Sequence, residues 1–263
     1  MLPAVNILGR SIPTYWCCAL FGFAACGVGV ILRHRQFKDL QFVDITNIAA
    51  LMLIGIIAGG RLLSIVTLMP IVIRNWSVFS GNWPFLYTFL SNGLVFYGGL
   101  FGAIISISLY IRKYHLDRNA YFDFLVPFFP LFHTFGRIGC FLTGCCHGKY
   151  SEQFGIAFTH STSAQNGIPY FPIQLVCSFC NFLLFLFLLQ YEKRHHKEGR
   201  TLSLYLITYA AGRFLIEFFR GDEIRGIFLG ISTSQWISLI ILLYYLLRRL
   251  RRVPTGEPIS AAK

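Results

Sequence analysis

Charge is what this sequence has least of. Only 13% of its 263 residues are Asp, Glu, Lys or Arg, about half the share of a soluble domain. Acids are the scarcer sign, with 11 Asp and Glu against 23 Lys and Arg. The N-terminal apolar block has no small-residue cleavage site and is followed by Arg33, His34 and Arg35, so it is expected to be retained as a span. No internal repeat of transporter type is visible. Outside the apolar blocks, no basic face carries interleaved stacking aromatics. That argues against nucleic acid as the partner despite a net charge of +12.

What is present is apolar. Hydrophobic residues make up 55% of the chain, with 27 Phe, 13 Tyr and 4 Trp, and they fall in blocks close to the ~20 residues that cross a hydrocarbon core. A soluble fold would leave most of that surface in water. The pattern predicts an all-α, polytopic membrane protein with about seven transmembrane helices over 13–32, 47–69, 93–111, 121–143, 171–191, 201–219 and 233–247. The connections between them alternate in charge. Fifteen of the 23 basic residues fall in the first, third and fifth connections and the tail, five lie on the opposite side, and Arg61, Arg137 and Arg213 sit within spans. That alternation predicts an N-out, C-in topology.

Residues 1–252 read as a single membrane domain and 253–263 as a disordered cytoplasmic tail. The segment 75–92, with Trp76, Trp83, Pro84 and Tyr87, suits the headgroup belt. The polar segment 148–170 reads as a small extracytoplasmic cap.

The three intramembrane arginines each have glycine beside them: Gly59-Gly60-Arg61, Gly136-Arg137-Ile138-Gly139 and Gly212-Arg213. A guanidinium in hydrocarbon costs at least ~2.5 kcal/mol, so each needs a reason. Snorkelling or a structural ion pair would explain any one of them. All three together point to a shared polar cavity for an anion, most plausibly a phosphate. Tyr209, Arg213 and Glu217 recur at i, i+4 and i+8, so they share one helical face.

The stretch 133–148 packs His133, Arg137, four glycines after position 135, Cys140, Cys145, Cys146 and His147 into sixteen residues. The three cysteines lack the C-x2-C spacing of a zinc site or redox pair, and no second cluster completes a ligand set. The thiols are expected to be small packing residues, with no metal or cofactor, and His147 a polar or proton-accepting group. Cys17, Cys18, Cys26, Cys177 and Cys180 lie in apolar stretches, where a thiol behaves as a small hydrophobe.

Taken together, the ordered motifs resemble the prolipoprotein diacylglyceryl transferase family. They are Gly59-Gly60-Arg61, Tyr97-Gly98-Gly99, Asp123, Gly136-Arg137-Ile138-Gly139 with Gly144 and Gly148, Pro172 with Gln174-Leu175, Tyr209 through Phe219, and Leu229-Gly230-Ile231-Ser232 before Gln235-Trp236. The resemblance implies a bacterial cytoplasmic (inner) membrane enzyme without cofactor. Its partners would be phosphatidylglycerol, a preprolipoprotein lipobox peptide and membrane lipid. The diacylglyceryl group would pass to the lipobox cysteine thiol, with release of glycerol phosphate.

The resemblance assigns Arg137 and Arg213 to the phosphate, with Tyr209 and Glu217 ordering that site and Arg61, Gly98, Gly99 and Gly148 contributing to donor binding. The family's usual histidine before the paired glycines is Tyr97 here, its asparagine after the arginine motif is Cys140, and its later asparagine, acid and glutamate are Thr143, Cys145 and Cys177. Tyr97 or His147 would therefore accept the thiol proton. The same donor site with another acceptor, or a lipid carrier without chemistry, are the rival readings.

Overall fold

The computed structural model describes residues 2–7, 9–37, 39–91, 96–194, 199–221 and 227–250. Asn92 to Val95, Asp222, Glu223, Arg225 and the tail 253–263, all of which figure in the sequence reading, lie outside them. The chain is mostly helical. Its helices are α1 (Thr14–His34), α2 (Phe42–Arg74), α3 (Trp76–Phe79), α4 (Trp83–Ser91), α5 (Phe96–Lys113), α6 (Arg118–Leu125), α7 (Phe128–Thr143), α8 (Ile173–Arg194), α9 (Arg200–Glu217) and α10 (Thr233–Leu250). Among the described residues, four stretches are long and apolar enough to cross a membrane: α1, α2, the α6–α7 stretch Arg118–Thr143, and Ile173–Lys193 of α8.

All-α is not the complete description. Among the described residues three two-stranded antiparallel ribbons accompany the helices: β1 (Ala4–Ile7) with β2 (Arg10–Pro13), β3 (Ile156–Ala157) with β4 (Pro169–Tyr170), and β5 (Ile227–Phe228) with β6 (Ile231–Ser232). Strands of two to four residues are too short to show a period of two, so hydropathy passes over them.

Contacts divide the chain into two compact units, Met1–Arg33 with Phe122–Lys263, and His34–Tyr121. The second unit is built on α2 against α5. The helices meet backbone to backbone at Gly55, Gly59, Gly98 and Gly102, and a Cβ added at Gly102 would lie 2.0 Å from the Gly55 carbonyl oxygen. Small residues at such a crossing are how helices associate where no water drives them together. Asp44 on α2 accepts hydrogen bonds from Tyr110 (2.8 Å) and Tyr121 (3.0 Å), closing one end of the pair.

The first unit packs α1, α7, α8, α9 and α10. Gly22 and Gly29 on α1 face Phe132, Phe135 and Phe128 of α7. The outward side of α1 is large and apolar, with Leu20 71% and Phe21 67% exposed. Such a face is stable only against lipid or another apolar partner. At one end, Arg33 pairs with Glu192, and both are buried. Beside them Asp123 accepts the backbone N–H of Gly199 at 2.6 Å and of Leu202 at 3.3 Å. A carboxylate there satisfies donors that the first turn of α9 leaves without intrahelical partners.

The segment after α7 is pinned rather than loose. Gly144 ends α7 in the left-handed region (φ 70°), and Ser161 and Thr162 donate to the carbonyls of Gly144 and Thr143. Phe158 is fully buried, with its ring 6.0 Å from Phe141 and 6.3 Å from Tyr170.

Candidate active site

The first unit contains a cavity of about 220 Å³ between α7, α8 and α9. His133 and Arg137 line it from α7, Cys177, Cys180 and Asn181 from α8, and Tyr209, Gly212 and Arg213 from α9. Helical periodicity explains the arrangement. His133 and Arg137 stand four residues apart, as do Tyr209 and Arg213, so each pair presents one face to the same space.

The polar groups are ordered by one another. Arg137 donates through Nε to His133 Nε2 at 3.1 Å, and the His133 ring lies 5.8 Å from that of Tyr209. Arg213 donates through Nη2 to Ser234 Oγ at 3.1 Å and pairs with Glu217 at 3.0 Å. Its other terminal nitrogen, Nη1, is buried and has no hydrogen-bond partner among the described residues. Glu217 is itself buried and lies 4.0 Å from Arg220. Burial pushes the Arg220 guanidinium below its usual range, and Arg137 adds to the effect. Two cationic arginines on the cavity wall, one with an unused buried donor, suit an anion with several acceptor oxygens.

Of the residues expected from the sequence, Arg137, Arg213 and Tyr209 share this cavity, and Glu217 supports it through Arg213. His147 does not line it. The His147 ring is buried against Tyr170 at 4.1 Å, and Nδ1 lies 3.0 Å from the Gly148 carbonyl oxygen. A ring nitrogen facing a carbonyl must carry the proton, which leaves Nε2 as the acceptor of a neutral imidazole.

Gly148 is a packing position. Its N–H donates to Phe171, and a Cβ there would stand 2.5 Å from the same carbonyl oxygen. Arg61, Gly98 and Gly99 belong to the other unit, where Gly98 and Gly99 are the close approach of α5 to α2. Tyr97 is in α5, but its side chain is outside the described residues.

Three contributors carried no role in the sequence reading. His133 was visible only as a histidine four residues before Arg137. Asn181 and Ser234 reach the site from helices distant in sequence, a relation that spacing cannot show. The cysteines are the largest difference. Sequence spacing disfavours a shared site, yet the sulfurs of Cys140, Cys145 and Cys146 all lie within 4.8 Å of one another. Hydrogen bonds from Cys140 and Cys145 hold the Cys146 thiol below the usual thiol range against the opposing effect of burial, and the fields of Arg220 and Arg137 add to them.

Residues 3–248 match the family model described as prolipoprotein diacylglyceryl transferase. The chain belongs to the prolipoprotein diacylglyceryl transferase family. It is 39% identical over 241 residues to the phosphatidylglycerol–prolipoprotein diacylglyceryl transferase of Clostridium tetani, covering 90% of this chain and 92% of that one. It is 37% identical over 238 residues to the protein of Clostridium perfringens named as transferase 2, with 88% and 90% covered. A third relative of the same transferase name, from Idiomarina loihiensis, is 30% identical over 228 residues, with 84% and 79% covered. Family membership and the apolar helices together make this an integral membrane protein.

Proposed function

We propose that this protein transfers the diacylglyceryl group of phosphatidylglycerol to the lipobox cysteine thiol of preprolipoproteins. The observation that carries the reading is the pair Arg137 and Arg213 on one cavity, with Arg213 Nη1 buried and unpartnered among the described residues. The acceptor sulfur would attack the glyceryl carbon that bears the phosphate ester. The new bond is C–S, the bond broken is C–O, and glycerol phosphate leaves with the electron pair while the thiol gives up its proton.

Arg137 and Arg213 would hold the phosphate and stabilise the charge gathered on the departing oxygen. Glu217 and Ser234 would aim Arg213, His133 would aim Arg137, and Tyr209 would close the wall between them. His147, with Nε2 as acceptor, is the group proposed to receive the thiol proton. Seven spans with the N-terminus outside a bacterial inner membrane fit this role; the described part of each apolar segment is mainly helical, 121–143 as the two helices α6 and α7, and the basic residues alternate by connection.

The test uses purified protein in micelles containing phosphatidylglycerol, with a lipobox-cysteine peptide. Peptide mass gain together with glycerol phosphate release, both lost in Arg137→Ala and Arg213→Ala, is the expected result. Headgroup release without peptide gain would transfer the reading to another acceptor. Intact phosphatidylglycerol from well-folded protein would leave a lipid carrier.

A further inference from the structure

The turn after α7 brings together three sulfurs that the sequence keeps apart. Gly144 takes the left-handed conformation at the end of α7, and Cys145 N–H then donates to the Cys140 carbonyl at 3.0 Å. The chain doubles back, Cys146 follows with φ 54°, and both thiols return over Cys140. The fold is tied there from two other helices. Gln174 at the start of α8 donates to the Cys145 carbonyl at 2.8 Å, and Gly221 beyond α9 donates to the His147 carbonyl at 3.2 Å.

None of the three cysteines is in the core; each is half-buried. Burial in the core therefore does not by itself explain why three sulfurs meet here. A disulfide would engage two sulfurs and leave the third without a role. A soft cation engages all three. In a tetrahedral site with zinc–sulfur bonds of about 2.3 Å the sulfurs stand roughly 3.8 Å apart, a small contraction from a cluster whose members already lie within 4.8 Å.

We propose that Cys140, Cys145 and Cys146 form a three-thiolate site for a soft divalent cation such as zinc, with the fourth position taken by a thiol from outside the chain. Thiolates select zinc-like cations over magnesium or calcium, and three protein ligands with an open fourth position is the coordination of a reactive site rather than a structural one. Three thiolates around a divalent cation carry one negative charge, and Arg220 and Arg137 act electrostatically on Cys146. Thr143 donates its hydroxyl proton to the Gly139 carbonyl at 2.9 Å, and its oxygen lies 3.3 Å from Cys145 Sγ.

A thiol that binds the cation is deprotonated outright, and His147 Nε2 is the acceptor already assigned to its proton. A soft thiolate held beside Arg137 is what alkylation at sulfur requires. Only the identity of the incoming thiol, the lipobox cysteine, rests on the transferase reading.

The experiment titrates the full-length protein in detergent with Co2+ under a phosphine reductant. A thiolate-to-cobalt charge-transfer band should saturate at a single equivalent. It should be lost in Cys140→Ser, Cys145→Ser and Cys146→Ser, and be kept in Cys17→Ser, with unchanged thermal unfolding certifying each variant. Adding the lipobox-cysteine peptide should shift the cobalt spectrum, and the serine peptide should leave it unmoved.

A folded, reduced wild-type protein without the band overturns the site, as does a band that survives all three substitutions. A band indifferent to the cysteine peptide overturns the open fourth position. Lipid transfer measured on the same preparations separates the two readings: transfer without the band removes the metal site alone, and the band without transfer removes the transferase alone.

Discussion

Arg137 lies one turn beyond His133 on α7 and donates through Nε to His133 Nε2 at 3.1 Å. The bond fixes the side of the guanidinium nearest the helix. It restrains the side chain of Arg137 where that residue lines the cavity. A neutral imidazole accepts this bond through Nε2 only if the proton is on Nδ1, so the same contact sets the histidine tautomer.

Replacing His133 with alanine should therefore leave the charge of Arg137 in place and remove its orientation. Partners that orient a functional group typically matter by 10–100-fold, and transfer by His133→Ala should fall by about that factor. Arg137→Ala and Arg213→Ala should fall further, by about 10²–10³-fold each, as for removal of a preorganised donor to a developing negative charge. Initial rates of glycerol phosphate release measure all three. An Arg213→Ala protein at the wild-type rate would dismiss the arginine assignment.

Much of this was legible beforehand, for a physical reason. Apolar blocks of spanning length force helices, and helical periodicity then places Tyr209, Arg213 and Glu217 on one face without any knowledge of neighbours. Arg137 was legible as a costly charge. What spacing could not carry was anything set by a turn or by a second helix. The convergence of Cys140 with Cys145 and Cys146 depends on two left-handed residues, Gly144 and Cys146. Ser234 meets Arg213 across 21 positions, and the role of Gly98 is written in the backbone of α2, where Gly59 waits for it.

Asp123 appears among the motif residues of the resemblance, and its geometry makes it a helix cap. Its carboxylate takes the N–H groups of Gly199 and Leu202. Asp123→Ala should cost about 1–2 kcal/mol, within the range for lost caps. Asn, which keeps one acceptor oxygen, should cost less. Thermal unfolding in detergent should show both shifts in that order, with residual transfer activity proportional to the folded fraction.

Gly102→Ala tests the crossing of α2 and α5. The new methyl would sit 2.0 Å from the Gly55 carbonyl oxygen and 3.1 Å from the Gly59 Cα. Backbone cannot rotate away as a side chain does, so the helices must separate along their shared face. Overpacking typically costs 1–3 kcal/mol, and a backbone clash belongs at or above the upper end. Gly27→Ala on α1, where nothing lies within 4 Å of the added carbon, should be neutral. Equal stability of the two variants would contradict the close approach.

If Glu217 aims Arg213 as proposed, it couples stability to catalysis, and its variants should separate the two. The carboxylate is buried between Arg213 at 3.0 Å and Arg220 at 4.0 Å. Removing one member of a buried ion pair leaves an uncompensated charge and costs about 3–5 kcal/mol, so Glu217→Ala should unfold at markedly lower temperature. Glu217→Gln keeps an acceptor oxygen for Arg213 but not the negative charge. Its loss of stability should be smaller, and the cavity should become more positive.

Two effects on the donor lipid then oppose each other in the Gln variant. The unneutralised arginines should hold an anionic headgroup more tightly in the ground state, lowering KM for phosphatidylglycerol. The weaker hold on Arg213 should misplace its donors for the developing charge of the leaving group, lowering kcat. Since only interactions stronger in the transition state accelerate the chemical step, kcat should fall while KM falls with it. A rise in KM at constant kcat would mean that Glu217 acts on lipid binding alone, and that Arg213 does not need it to be aimed.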